Sequence, residues 1–578
     1  MVKLLSEFPA ISTESWEKAI REDLKGVDDA GKLIWHSQEG IDVKPYYRAE
    51  DLADLNFLDS APGDFPFVRG TRASGGWRIR EQIDAIDPEE ANSAARCAVA
   101  AGAEEIAFAH AAVTNASDLG ILLANLGEVP VHFSHPSPAM IRLVVDRMKR
   151  RQSRIPRSAA LDWSADPAFS AEVISTAPGE FVPFTIRAQE YQNSGATAVE
   201  EIAFALASGV DFLAEMEERG VPPDRAAQSV AFSFAMGPEF FMQIAKLRAF
   251  RMAWAQAAAR FGVARDHARA RIYALTSRWN RTVYDPHNNM LRATTEAMSA
   301  ILGGADSIYI VPFDECYNVG DETSRRLARN AQIILKQEAH LARVADPGGG
   351  SYYLEALTQS IAQRAWKQLQ EIEAAGGYRK STAQIEQTLD QRKDAQVKSV
   401  IARKRILTGT NRFANAAEQA FERVGGAIVH DSIRAALPFE ELRMRIERYT
   451  RQSGRSPRIL LAEIGDAKMR SARSGFASEF FACAGLSTEI RRFETAPEIA
   501  AVAADLIVLC SSDPEYLAIA TELLAAMALR GSTTPVLIAG HPESAGQLRT
   551  LGITEFVHLR SNPVEVLTRL QQLLGIGQ

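Results

Sequence analysis

Cysteine is scarce in this chain. Cys97, Cys316, Cys483 and Cys510 are the four among 578 residues, widely separated and never in a CxxC pair. That usage argues against a disulfide framework or a cysteine zinc site and favours a reducing compartment. His541 has no second histidine or cysteine at metal-ligand spacing, so no metal is expected. No stretch reaches the roughly 18 uninterrupted apolar residues that a transmembrane helix requires. Residues 1–10 include Glu7 and no long apolar run, so they do not read as a signal peptide. A basic excess is missing too: 65 Lys+Arg against 72 Asp+Glu gives a formal charge of −7. That excludes the positive field of a nucleic-acid binder. The expectation is a cytoplasmic protein with neither nucleic acid nor membrane as partner.

Hydrophobic residues make up 46% and charged residues 24% of the chain, the values of a folded globular protein with a large core. Length alone predicts about four domains of ~150 residues, fewer if one is a barrel of ~250. Residues 1–70 read as an arm. Thr13, Glu14, Trp16, Ala19 and Ile20 form a capped amphipathic helix ending near Gly26, and a Pro/Tyr stretch, Val43-Lys44-Pro45-Tyr46-Tyr47, follows. With little core of its own, such a segment either wraps a neighbouring domain or a partner chain, or is a loosely packed extension.

From residue 71 a rhythm of short β-rich runs and helical patterns begins. The strands are expected at 77–83, 105–109, 130–133, 159–162, 183–187, 229–235, 271–276 and 307–311, the fourth being the weakest. Eight βα units in one run imply parallel strands closed into a (β/α)8 barrel. Helical patterns at 357–375 and 382–404 extend it to about residue 420. Residues 421–456 are polar and basic toward their end and read as a linker. Alternation resumes over 457–578, with strands expected at 458–463, 489–493, 506–510, 535–539 and 555–558. Five strands with intervening helices fit a doubly wound, flavodoxin-like (Rossmann-type) domain. The fold class is therefore α/β.

In such barrels chemistry sits at the C-terminal strand ends. There the sequence places Glu190, Tyr191 and Gln192 after the fifth strand, Ser233 in the sixth, Thr276, Ser277, Arg278 and Trp279 after the seventh, and Asp314 and Glu315 after the eighth. A glutamate, an arginine and two further acids make either an acid/base site or a set of ion pairs that plugs the mouth. In the second domain the first βα loop is Ile464-Gly465-Asp466-Ala467-Lys468-Met469, and Ser511, Ser512 and Gly540 end later strands. Those groups hydrogen-bond a ligand or cap helices; a Ser-Ser-Asp run before a helix favours the cap.

Several segments are specific enough to carry a resemblance. They are Gly195-Ala196-Thr197-Ala198, then Phe240-Phe241-Met242 with Ala245-Lys246-Leu247-Arg248-Ala249-Phe250-Arg251-Met252 and Trp254. Tyr284-Asp285 with Asn288-Asn289, Asp314-Glu315, Arg329-Asn330 and Asp346-Pro347 with Gly350-Ser351-Tyr352 extend the match. Along nearly its whole length the chain resembles the methylmalonyl-CoA mutase family. Its opening, Trp35-His36-Ser37-Gln38-Glu39-Gly40-Ile41 with Tyr46-Tyr47, resembles the small (beta) subunit in particular. The resemblance implies an acyl-CoA-type barrel joined to a cobalamin-binding domain.

The departures from that pattern set the expected role. Catalytic members carry Asp-x-His-x-x-Gly in the first loop of the cobalamin domain; here Asp466 stands at the aspartate, Lys468 at the cobalt-ligating histidine and Ser471 at the glycine. A protonated lysine has no free lone pair to offer a metal. Catalytic members also place a histidine before the Gly-Ala-Thr-Ala segment to contact the thioester carbonyl, where this chain has Glu190. An ionised carboxylate repels developing negative charge. The family's tyrosine-rich loop is shortened to Arg69-Gly70-Thr71-Arg72-Ala73-Ser74-Gly75-Gly76-Trp77. The resemblance therefore implies a non-catalytic small subunit, binding no cofactor itself, in a heterodimer whose large chain holds adenosylcobalamin. Two alternatives stay open: an acyl-CoA isomerase using Glu190 and Arg278, and a scaffold protein that has lost both ligands.

Overall fold

The computed structural model describes residues 11–24, 31–151, 157–318, 320–426 and 434–577. Its centre is a closed barrel of eight parallel strands: β1 (Arg78–Ile83), β2 (Glu105–Phe108), β3 (Val131–Phe133), β4 (Arg157–Leu161), β5 (Phe181–Arg187), β6 (Val230–Met236), β7 (Ile272–Thr276) and β8 (Ser307–Tyr309). β8 closes the ring by pairing with both β7 and β1. Each strand lies within two or three residues of its expected position. β4 deviates most, starting at Arg157, and its pairing with β5 shifts register between Ser158 and Leu161. Every residue of β6 is buried, as expected of a strand covered by side chains inside the barrel and by helices outside.

The helix Ala198–Glu218 shows how the sequence sets local structure. Thr197 accepts from the Glu200 N–H while the Glu200 carboxylate accepts from the Thr197 N–H, a reciprocal cap. Gly195 just before it has φ +105°, and a Cβ there would lie 2.7 Å from the Lys393 backbone nitrogen. Only glycine allows both that conformation and that approach. The helices Tyr352–Ala374 and Tyr378–Ile401 extend the barrel, and Leu357, Ile361, Ala365 and Leu369 of the first join its core.

The arm has two parts. The helix Thr13–Asp23 buries no residue; Trp16 packs on Tyr46 with centroids 4.3 Å apart. Further on, Ile41, Val43, Phe57, Phe67 and Val68 are buried in the barrel's own core. Residues expected to link the domains instead include a helix, Leu437–Ser453, with Phe439, Leu442, Met444 and Ile446 buried. Spacing of i, i+3 and i+7 at 439, 442 and 446 is a helical apolar stripe, which the basic residues between had obscured. Gly454 ends it with φ +73°.

The C-terminal domain is a parallel sheet of β9 (Ile459–Glu463), β10 (Thr488–Arg492), β11 (Leu506–Cys510) and β12 (Val536–Ile538), ordered β10-β9-β11-β12. The fifth expected strand is reduced to one bridge between Ile538 and Phe556, because Leu559 is exposed and the chain turns back there through a Ser561-to-His558 bond. Trp279, from the loop after β7, is buried with Leu442, Phe480 and Leu506 in this domain's core, so the barrel mouth and the second domain share packing. Among the described residues no helix is long and apolar enough to cross a membrane.

Candidate functional site

Two places gather polar chemistry: the C-terminal mouth of the barrel and the crevice at the C-terminal edge of the second sheet. The barrel encloses a cavity of about 230 Å³. Its floor carries Arg80 from β1 and His132 from β3. The Arg80 guanidinium lies 4.1 Å over the Tyr273 ring and pairs with Glu105. His132 Nδ1 is 2.9 Å from Ser158 Oγ. Burial, then the Arg80 charge, holds the His132 imidazole well below its usual range, so it is neutral at physiological pH. Tyr309 at the end of β8 also lines the wall; burial raises its phenol well above the usual range.

At the rim, His110 and His135 stack with centroids 5.3 Å apart, and His135 Nδ1–H donates to the Ala109 carbonyl at 3.1 Å. β5 ends in Arg187, which pairs with Glu190 at 3.2 Å. Ser233 donates to Gln189 at 2.5 Å, and the Arg278 N–H donates to Asn193 Oδ1 at 3.1 Å. The Arg278 guanidinium pairs with Glu315, and that carboxylate raises the arginine's pKa further.

Of the residues singled out in the sequence, Glu190, Ser233, Thr276 and Arg278 border this cavity. Tyr191 does not; its hydroxyl is 2.6 Å from the Tyr378 hydroxyl in the helical extension. Gln192 accepts from Ser277 Oγ at 3.1 Å, and Asp314 accepts from Asn318 at 3.1 Å. The residues that sequence reasoning missed are Arg80, His110, His132, His135, Arg187 and Tyr309. Their signal was polar and aromatic side chains within or just after the expected strands.

In the second domain Asp466 caps the helix Ala467–Ala482, accepting from the Met469 N–H at 2.8 Å. Lys468 is exposed. Ser511 and Ser512 both donate through their hydroxyls to the Glu515 carboxylate, at 2.7 and 2.6 Å. The same carboxylate accepts from the backbone N–H groups of Asp466 and Ser512 at 3.1 and 3.2 Å. These donors hold Glu515 down to about 2, the Ser512 hydroxyl first. Gly465 has φ +77°, and a Cβ there would lie 2.5 Å from Glu515 Oε2. The space between the two loops is thus filled by the chain's own carboxylate. Gly540, with φ +156°, lies against Arg473, Asp513 and Tyr516. His541 does have a histidine neighbour: His558, 5.1 Å away between ring centroids, which the sequence spacing had not shown. Among the described residues, however, no three His, Cys, Asp or Glu side chains gather as a metal site would require.

A (β/α)8 barrel followed by a small parallel α/β domain, with its polar cavity at the barrel mouth, defines the two-domain class to which acyl-CoA mutases belong. The family model for methylmalonyl-CoA mutase matches residues 36–121 and 146–445, and the chain belongs to that family. It is 35% identical, over 99% of both chains, to the methylmalonyl-CoA mutase small subunit of Porphyromonas gingivalis. It is 31% identical to the small subunit of Streptomyces virginiae, over 100% of this chain and 99% of that one. Against the small subunit of Propionibacterium freudenreichii subsp. shermanii the identity is 30%, over 100% and 97%.

Proposed function

We propose that this chain is the non-catalytic small subunit of a heterodimeric, adenosylcobalamin-dependent methylmalonyl-CoA mutase. It supports a large chain that interconverts succinyl-CoA and methylmalonyl-CoA. The observation that carries this reading is Glu515. Its carboxylate takes four hydrogen bonds in the crevice where a doubly wound domain receives a ligand. A phosphate-bearing cofactor approaching that crevice meets a fixed negative charge, and Lys468 offers no lone pair in the loop beside it. The residues present do not fit cobalamin, and no chemical step is assigned to it in this chain.

The barrel supports the same reading. Glu190 at the family's histidine position is held by Arg187, and Arg278 by Glu315, so two rim cations have partners before any substrate arrives. The relatives named small subunit match along their full length, which supports assembly with a large chain. The exposed arm, with Trp16 on its helix and Trp35 on the short strand Trp35–His36 at 39% and 45% exposure, is the surface we assign to it. Four unpaired thiols fit a cytoplasmic location.

The test is direct. The purified chain, mixed with adenosylcobalamin, gives no spectral change and no turnover; co-expressed with a large mutase chain, it forms a 1:1 complex by native mass spectrometry. A histidine-ligated cobalamin spectrum from the isolated chain overturns the proposal. The cavity that remains in the barrel favours one second reading, an acyl-CoA isomerase with its own site. Turnover by this chain alone, abolished in Glu190→Gln, would establish it.

A further inference from the structure

The barrel cavity is small, yet it is neither collapsed nor apolar. Its wall presents the guanidinium groups of Arg80, Arg187 and Arg278, and of the acidic side chains only Glu190. Glu105 and Glu315, which pair with Arg80 and Arg278, do not line it. Those two acids therefore stand outside the wall and hold Arg80 and Arg278 in place, whereas Arg187 pairs with Glu190 in the wall itself. All three guanidinium groups have a carboxylate partner, so the wall offers a ligand N–H donors on paired cations.

Tyr309 adds an independent observation. It is 6% exposed and lines the cavity, and its hydroxyl has no hydrogen-bond partner among the described residues. A phenol that is nine-tenths buried normally finds a partner. Ser134, Gln189 and Asn193 add further polar groups to the same wall. Gln189 and Asn193 each use the side-chain oxygen as an acceptor, which leaves their NH2 groups as donors. A recessed wall of guanidinium groups and neutral donors is complementary to a compact oxyanion. At about 230 Å³ the space lies below the roughly 300–1,000 Å³ of drug-sized sites, a size that suits a compact ligand.

We propose that the barrel of this chain is a binding site for a small free oxyanion, carboxylate or phosphate, held by Arg80, Arg187, Arg278 and the Tyr309 hydroxyl. The site does not depend on the assembly proposed above. A chain that fails to pair with a large subunit still presents the same cavity.

Isothermal titration of the full chain, alone and in complex with its large chain, tests this. The probes are inorganic phosphate and malonate, with malonamide as the neutral isostere. One site per chain is expected for at least one of the two anions, and none for malonamide. Phosphate alone identifies a tetrahedral oxyanion as the ligand; malonate alone identifies a dicarboxylate. Tyr309→Phe and Arg187→Gln, one keeping the ring and the other at the rim, each weaken binding by about tenfold, the factor that 1.4 kcal/mol represents. Absence of binding by both anions at 20 mM overturns the proposal. Binding that both variants leave unchanged, or that malonamide matches, overturns it equally.

Discussion

Lys246 and Glu201 offer the sharpest test of how this barrel is held together. Both side chains are 0% exposed, and Lys246 Nζ lies 2.6 Å from Glu201 Oε2. The ammonium also donates to the Ala235 carbonyl at 2.5 Å, and Glu201 accepts from the Ala235 N–H at 3.0 Å. The pair therefore clamps the end of β6, two residues from Ser233 in the cavity wall, between the helices Ala198–Glu218 and Phe240–Arg260. Replacing Lys246 with Met leaves an uncompensated buried carboxylate, a loss of about 3–5 kcal/mol. Lys246→Met/Glu201→Leu removes both charges and recovers all but about 1 kcal/mol, since apolar replacement of a whole buried pair is often neutral. The pH dependence has a definite sign. Burial already raises the Glu201 pKa in the folded state, and Lys246 opposes that rise. Without the lysine the folded pKa climbs further above the unfolded one, so protonation favours folding and the deficit is largest at pH 8 and smaller at pH 5. Urea unfolding followed by tryptophan emission reads this, because buried Trp254 lies on the same helix as Lys246. Two domains need not unfold together, so the barrel transition is the one compared. A deficit below about 1 kcal/mol, a double variant no better than the single one, or a deficit that does not shrink on acidification would refute the reasoning.

Glu515→Gln tests the crevice. The carboxylate is held near 2 instead of 4.5, so its contribution is present above about pH 5 and fades as pH falls toward the folded value; the gap between wild type and variant should close over that window in acid-titrated urea melts. Tyr191→Phe strips Tyr378 of its 2.6 Å partner and should cost about 1 kcal/mol in the same melts, without altering anion binding in the barrel. A thiol reagent at pH 8 should label one site per native chain, the exposed Cys97, and all four in guanidinium; burial raises Cys316 to about 12 and Cys483 to about 11. Trp16→Ala with Trp35→Ala should weaken co-purification with the large chain by tenfold or more, as loss of exposed aromatic anchors does, while leaving the melting of this chain unchanged.

The fold was legible where one physical signal dominated. Buried parallel strands are near-continuous apolar runs, and strands close to Phe181–Arg187, Val230–Met236 and Leu506–Cys510 could be placed from that pattern. Legibility failed where two signals compete. The helix Leu437–Ser453 carries enough arginine to read as a linker, yet its apolar stripe is buried. The region around Phe556 has strand-like residues, but the chain turns back between His558 and Ser561 and pairing stops at one bridge. Within the site, Arg278 was found because it follows a strand, whereas Arg80 and His132 sit inside strands, where only the closure of the barrel decides which faces point inward. Glu515 did have a signal: Ser512 and Glu515 stand at capping-box spacing, with Ser at the first position and Glu three residues on.

The two domains treat charge in opposite ways, and that difference bears on what each retains. In the crevice of the second domain, an acid lies between the strand-end loops and satisfies the donors there. Ser511, Ser512 and two backbone N–H groups all end on Glu515, so an incoming anion must displace a carboxylate that is already well bound. In the barrel the acids Glu105 and Glu315 stand behind their arginines, outside the cavity wall. That arrangement stabilises the cations without using the space in front of them. The barrel keeps an open, donor-lined chamber, and a small oxyanion is an occupant that can accept from those donors.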